Sequence, residues 1–278
     1  MSETWVKIIE DGIEYDIDEF AGLMFLDAKA SYPSENENSV SINGIDGVLP
    51  GAISFAPFNL VLRFGYDGID AREIDLFEHH FRSIFHRRKP YAIVTSQMPG
   101  IKYSISGASI QPTVKDFCSL ELEVTLKVYK GYSESVNTTG KDFVFNSEWM
   151  LENGLPLNHK PKYHFKTRSF QVWNGSTDTV DPRMRHKLKI LIQINAVGGF
   201  QLVNTTTEDK FKYNKTIEYR SKFMLNDVYA YKDNERVGID TNRGIITLAP
   251  GMNNFEILGD VKDVKDVDII FEFPFIYR

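Results

Sequence analysis

The stretch SLELEVTLKV, Ser119 to Val128, alternates without a break. Leu120, Leu122, Val124, Leu126 and Val128 fall on one side, and Glu121, Glu123, Thr125 and Lys127 on the other. A period of two marks a strand with one face in a core and one in water. Working outward, WVKIIEDGIEYDI surrounds Asp11-Gly12, a pair suited to a hairpin turn. ISFAPFNLVLRFGY, YAIVTS and KYSISGASIQP also read as strands. YKGYSESVNTTGKD then interrupts with Gly, Ser and Thr, and we place a domain boundary there, dividing the chain into 1–135 and 136–278. Beyond it, segments from DFVFNSEWM to DVDIIFEFPFIYR again read as short strands between turns. The fold class expected is mainly β in two domains, and the short strands of the second half argue for a β-sandwich there.

One segment departs from this pattern. In DAREIDLFEHHFRSIFHRRKP, Asp70 to Pro90, the apolar residues Ile74, Phe77, Phe81, Ile84 and Phe85 recur at helical spacing. They share an arc of about 100° on a helical wheel. Asp70 suits an N-cap, Glu73 completes a D-x-x-E box, and Pro90 ends the run. The expectation is a helix over about 70–88 whose core face is Phe77, Phe81, Ile84 and Phe85. The same segment holds three of the six histidines. His79 and His86 lie about 10 Å apart along the axis, too far for a metal about 2.1 Å from each. His79 and His80 diverge by about 100°. No metal site is assigned. Arg87, Arg88 and Lys89 are expected in the last turn, where the helix dipole favours cations. Their other use would be a phosphate contact.

The chain has 278 residues, 42% hydrophobic and 25% charged, enough to bury a core without disulfides. Its single cysteine, Cys118, excludes an internal disulfide and a cysteine-rich zinc module, and is expected as a small buried residue. A net charge of −6 works against general nucleic-acid binding. Neither a signal-like N-terminus nor an apolar run approaching ~18 residues is present, so a soluble protein made in the cytoplasm, without membrane contact, is expected. The N-x-S/T sequons at Asn137, Asn174, Asn204 and Asn214 read as loop sequence. No nucleophile-elbow, zincin, P-loop or dinucleotide motif occurs, and no catalytic or cofactor-binding residue or cofactor is assigned. NAVGGFQ reads as a glycine bulge or turn in a strand region.

Two further features bear on binding. The polar SYPSENENS precedes SINGIDGVLPG, whose turn pairs are Asn43-Gly44 and Asp46-Gly47. Asp27 to Ile53 is the candidate for a protruding arm, with those four turn residues as candidate oligomer contacts. Its other reading is a long surface loop of a monomer, although structureless loops of that length are uncommon. Trp149 and Trp173 are candidates for stacking on a sugar face, although such tryptophans are more often core or rim residues.

Taken in order, SINGIDGVLPG, NLVLRF, the amphipathic helix, PYAIVT, PGIKYSISG and LELEVTLKVYKGYSES resemble the distal tail protein family of siphophages, phages of Gram-positive hosts. The closing GIITLAPGMNNFEILG and DIIFEFPFIYR resemble the end of the same siphophage tail component family. The likeness covers roughly the first 135 and the last 40 residues. It implies an N-terminal β-sandwich with one helix and an extended hairpin reaching a neighbouring subunit, and a galectin-like C-terminal sandwich. It implies a homo-hexameric ring in the virion, assembled in the host cytoplasm. That ring would join the tail tube protein to the tail-tip (lysin or spike) protein and the receptor-binding protein, with DNA passing through its channel. It implies no catalysis. The sugar-binding strand of galectins, H-x-N-P-R, has no counterpart: the nearest text is NHKPKYHF. The rival readings are a carbohydrate-binding β-sandwich using Trp149 or Trp173, and a hydrolase whose acid pair spacing does not reveal.

Overall fold

The computed structural model describes residues 4–17, 21–141, 161–261 and 267–278. The chain separates into two compact units, residues 1–134 with Arg278, and residues 135–277.

The first unit contains β1 (Val6–Glu10), β2 (Ile13–Asp16), β3 (Leu23–Ala30), β4 (Glu35–Glu37), β5 (Ile53–Phe55), β6 (Phe58–Asp67), α1 (Ala71–Phe85), β7 (Tyr91–Thr95), β8 (Ile101–Val114) and β9 (Ser119–Val128). Its main sheet runs in the order β2-β1-β7-β8-β9-β6-β3, every neighbour antiparallel. The alternation in Ser119–Val128 is realised: all five apolar residues are buried. β6 pairs with β9 from Phe58↔Val128 to Asp67↔Ser119 and buries its own alternate residues, Phe58, Leu60, Leu62, Phe64 and Tyr66. Val6 and Ile8 of β1, Phe25 of β3, Ile93 of β7 and Ile105 of β8 join the same cluster. One core therefore serves strands from both ends of the sheet order, which requires the sheet to curl about it.

Helix α1 is seated on that core by its aromatic stripe. Phe77 stacks on Tyr66 at 3.6 Å between centroids, and Phe81 meets Phe64 edge-on at 5.4 Å. Phe77, Phe81 and Phe85 are buried, and Ile84 packs against the cluster while partly exposed. Asp70 caps the N-terminus, accepting from the backbone N–H groups of Arg72 and Glu73, both at 2.9 Å. Glu73 reaches back one residue further than a capping box predicts, to the N–H of Ile69. The helix ends at Phe85, short of the expected 88. The last helical bond is His86 N–H to Arg82 O, and Arg87 then turns its side chain back onto the carbonyl of Ile84 at 2.8 Å. Arg87, Arg88 and Lys89 thus lie beyond the last helical turn, because side-chain partners elsewhere replace a further turn.

The short β10 (Ser133–Ser135) lies at the division. The second unit contains β11 (His164–Phe165), β12 (Ser169–Asn174), β13 (Lys189–Ile194), β14 (Ala196–Asn204), β15 (Asp209–Tyr213), β16 (Phe223–Asn226), β17 (Tyr229–Lys232), β18 (Glu235–Arg236), β19 (Gly251–Val261), β20 (Val267–Glu272) and β21 (Ile276–Tyr277). One sheet is ordered β11-β20-β13-β16-β17-β18 and the other β12-β19-β14-β15. Aromatic pairs bridge them: Phe200–Phe223 at 5.3 Å, Phe211–Phe223 at 5.8 Å and Phe255–Phe271 at 5.0 Å. Such pairs add about 0.5–1.5 kcal/mol each beyond the area they bury. The Gly198-Gly199 pair breaks the β14–β19 register between Val197 and Phe200, as a bulge. A Cβ on Gly199, whose φ is +96°, would lie 2.0 Å from the carbonyl oxygen of Tyr213.

Candidate functional site

β4 and β5 pair as Glu35↔Phe55, Asn36↔Ser54 and Glu37↔Ile53, and they stand outside the main sheet. An isolated Val40↔Leu49 bridge continues the ladder, with bonds of 3.0 and 2.9 Å. The Asn38 side chain donates to Ala52 O at 3.1 Å, and Gly51 lets the two backbones meet: a Cβ there would lie 1.8 Å from Asn38 O. Gly44 and Gly47 take φ values of +85° at the tip, where Asn43, Gly44, Asp46 and Gly47 are all exposed. The arm is therefore a hairpin rather than a loop. It starts later than Asp27, because Asp27–Ala30 are part of β3 and pair with β6. Its base is fastened by Ser31 N–H to Asn59 O at 2.8 Å and Ala56 N–H to Ser34 O at 2.8 Å. Below it, Asp27 and Arg63 form a two-pronged ion pair, which holds the Asp27 carboxyl below its usual range and raises Arg63.

The chemistry of this hairpin is apolar. Every residue from 34 to 54 is exposed. Among them Val40, Ile42, Ile45, Val48, Leu49 and Ile53 are each between 43% and 66% exposed. A lone two-stranded hairpin is marginal in water, and a dense group of exposed aliphatic side chains marks an interaction surface. Covering each of them would contribute on the order of 1 kcal/mol.

The histidine and arginine run has a different fate. His79, His80 and His86 are exposed, and among the described residues no group of three or more His, Cys, Asp or Glu could hold a metal ion. Arg87 pairs with Glu10 and lies over the rings of Tyr15 at 5.1 Å and Tyr91 at 5.8 Å. Lys89 donates to Asp11 at 2.9 Å. Two of the three basic residues thus brace the β1–β2 hairpin. Glu10 and Asp11 stand some eighty positions upstream, so helix geometry could not have named them.

Cys118 does not lie in the core. It is partly exposed in the turn before β9, its N–H and thiol both directed at Asp116, and loss of solvent together with that carboxylate raises its pKa. Such a thiol is a weak nucleophile. Trp173 lies on the outward-facing register of β12 with Ser169 and Gln171, half-buried, opposite Met252. Trp149 lies outside the described residues. No described helix is long and apolar enough to cross a membrane.

Residues 14–128 match the family of the phage tail protein RIFT-related domain. Over that stretch the chain is similar to a phage tail domain. That agrees with the resemblance found in the sequence, and the match takes in the hairpin, α1 and the sheet strands from β3 to β9. The crystal structure of the Dit protein of phage SPP1, described as a paradigm of hub adsorption apparatus in Gram-positive infecting phages, is similar at a TM-score of 0.66 and 12% identity, over 97% of this chain and 99% of that one. At this identity the likeness speaks for the fold. A chain of the phage P2 baseplate in its activated conformation with Ca aligns over 98% of both chains, at 11% identity and a TM-score of 0.45. No curated protein matches the sequence.

Proposed function

We propose that the chain is a distal tail protein, a structural hub at the tip of a siphophage tail. Six copies close into a ring around a channel, each hairpin lying across the neighbouring subunit. The ring joins the tail tube protein to the tail-tip protein and to the receptor-binding protein, and DNA crosses it in transit. The C-terminal unit is a galectin-like sandwich serving as an attachment platform. The protein works in the virion by geometry and binding, without catalysis.

The hairpin carries this reading. Its aliphatic side chains and its unpaired strand edges gain most from a second protein surface. A closed ring supplies one, because its contacts join two different patches on successive copies. The tail-domain match over residues 14–128 supports the same class of function.

Solution mass tests it. Light scattering and electron microscopy of the full chain, alone and mixed with its tail partners, are expected to give hexameric rings. Removing residues 34–48 is expected to leave the circular dichroism of the folded units unchanged and to abolish the rings. A monomer at every concentration, and also in the presence of tail partners, would overturn the proposal.

A further inference from the structure

The second unit holds a partly open pocket of about 390 Å³, within the range of small-ligand pockets. It is independent of the hairpin and of the hub reading. Its floor is made of buried aliphatic and aromatic side chains: Leu188 just before β13, Ile190 of β13, Leu225 of β16, Ala230 of β17, Phe211 of β15 and Ile246. Because Ile190, Leu225 and Ala230 come from one sheet and Phe211 from the other, the hollow lies between the two layers. The outer sheet face, where Trp173 sits, takes no part in it.

The wall is fixed by specific bonds. The segment 238–246 supplies part of the lining, and its Asn242 side chain accepts from Lys212 N–H at 2.8 Å and from Gly244 N–H at 2.9 Å, and donates to Lys210 O at 2.8 Å. Gly244 permits this close approach, since a Cβ there would lie 2.0 Å from Lys210 O. A pinned wall gives a cavity that is present before any ligand arrives, which spares the cost of forming it on binding.

The rim is cationic. Arg236 lies with its guanidinium 4.4 Å from the ring centre of Tyr229 and 5.9 Å from that of Tyr231. Arg243 also lines the mouth. Neither arginine has a carboxylate partner among the described residues. The acidic lining residue, Asp227, is already satisfied by Lys187 at 2.7 Å and Leu188 N–H at 3.1 Å. An apolar hollow beside two guanidinium groups that no carboxylate neutralises favours a ligand with an aliphatic body and one anionic head.

We propose that this cavity binds a small amphipathic anion, an aliphatic chain ending in a carboxylate or a phosphate, with the chain between the sheets and the head between Arg236 and Arg243. The test is calorimetry and methyl NMR on the full chain, with octanoate, octyl phosphate and neutral octanol as probes below their aggregation limits. Saturable binding of an anion is expected, with shifts at Ile190, Leu225 and Ala230, and octanol weaker by roughly ten-fold or more. The better of the two anions identifies the head group. The R236Q/R243Q variant, altered only at exposed positions, should lose a comparable factor for the anion and none for octanol. Ala230→Met should fill the hollow and remove all binding; if it fails to fold, the arginine variant still decides. Absence of saturable anion binding, octanol binding as tightly as octanoate, or an unchanged anion affinity in R236Q/R243Q would each overturn the proposal.

Discussion

Helix α1 and the β4–β5 hairpin both lie within residues 14–128, the stretch similar to a phage tail domain, and they use apolar residues in opposite ways. The helix is crowded with charge, yet Phe77, Phe81 and Phe85 are buried against Phe64 and Tyr66. The hairpin carries polar residues at its base, yet Val40, Ile45, Val48 and Leu49 stand in solvent. The difference is geometric. A helix presents a whole stripe to one neighbour, whereas a two-stranded ribbon that projects from a sheet has no second layer of its own. In the helix apolar residues stabilise the monomer. In the hairpin they are available to a second surface.

That contrast can be broken or sharpened. The largest effect should come from the tip: Ile45→Asp combined with Val48→Asp should abolish ring assembly, read by light scattering. The same pair should change the free energy of urea unfolding of the monomer by no more than about 0.5 kcal/mol, as exposed substitutions do. Phe81→Ala should do the reverse. It should cost about 3–5 kcal/mol in urea unfolding through loss of packing against Phe64, Phe77 and Phe85. If the tip variant unfolded the monomer, or if Phe81→Ala were silent, the division between the two regions would fail. Smaller is the loss of the helix cap: Asp70→Ala should cost about 1 kcal/mol in the same assay.

The smallest effect concerns the clasp beneath the hairpin. The Asp27 carboxyl is held below its usual range by its bond to Arg63, so its contribution is present above the ordinary carboxylate pKa of about 3.9 and fades as pH falls through the lower folded value. The pair is largely exposed, which screens it. Thermal unfolding should show the native protein slightly above Asp27→Asn at pH 7. The gap should close toward pH 2 and shrink with added salt. A gap that widened in acid would show that the clasp works in some other way.

Much of the architecture could be read along the chain. The alternation of Ser119–Val128, the stripe Phe77-Phe81-Ile84-Phe85, the Asp70 cap and the Gly198-Gly199 bulge each express a period or a turn confined to a few residues. The tip residues Asn43, Gly44, Asp46 and Gly47 were visible for the same reason. Two of the four sequons are not loop sequence: Asn174 and Asn204 end strands and are buried, whereas Asn214 is exposed outside any strand. Asn174 donates to Leu248 O at 2.9 Å, and Asn204 donates to Thr247 O at 2.8 Å and to Asn253 at 3.1 Å. Their partners lie more than forty residues away, and an asparagine ending a strand looks the same whether it faces water or a distant carbonyl.

Local order in this protein follows from its residues because main-chain geometry has fixed periods, and side chains of like kind recur at them. Strand, helix face and turn are set at that scale. Whether Arg87 serves a helix end or Glu10, whether Cys118 is core or turn, where the arm leaves the sheet, and that a hollow remains between the layers under Arg236 and Arg243 were settled by packing. Each depends on which remote segment fills the adjoining space, and pairings across the chain carry no period by which they could be recognised.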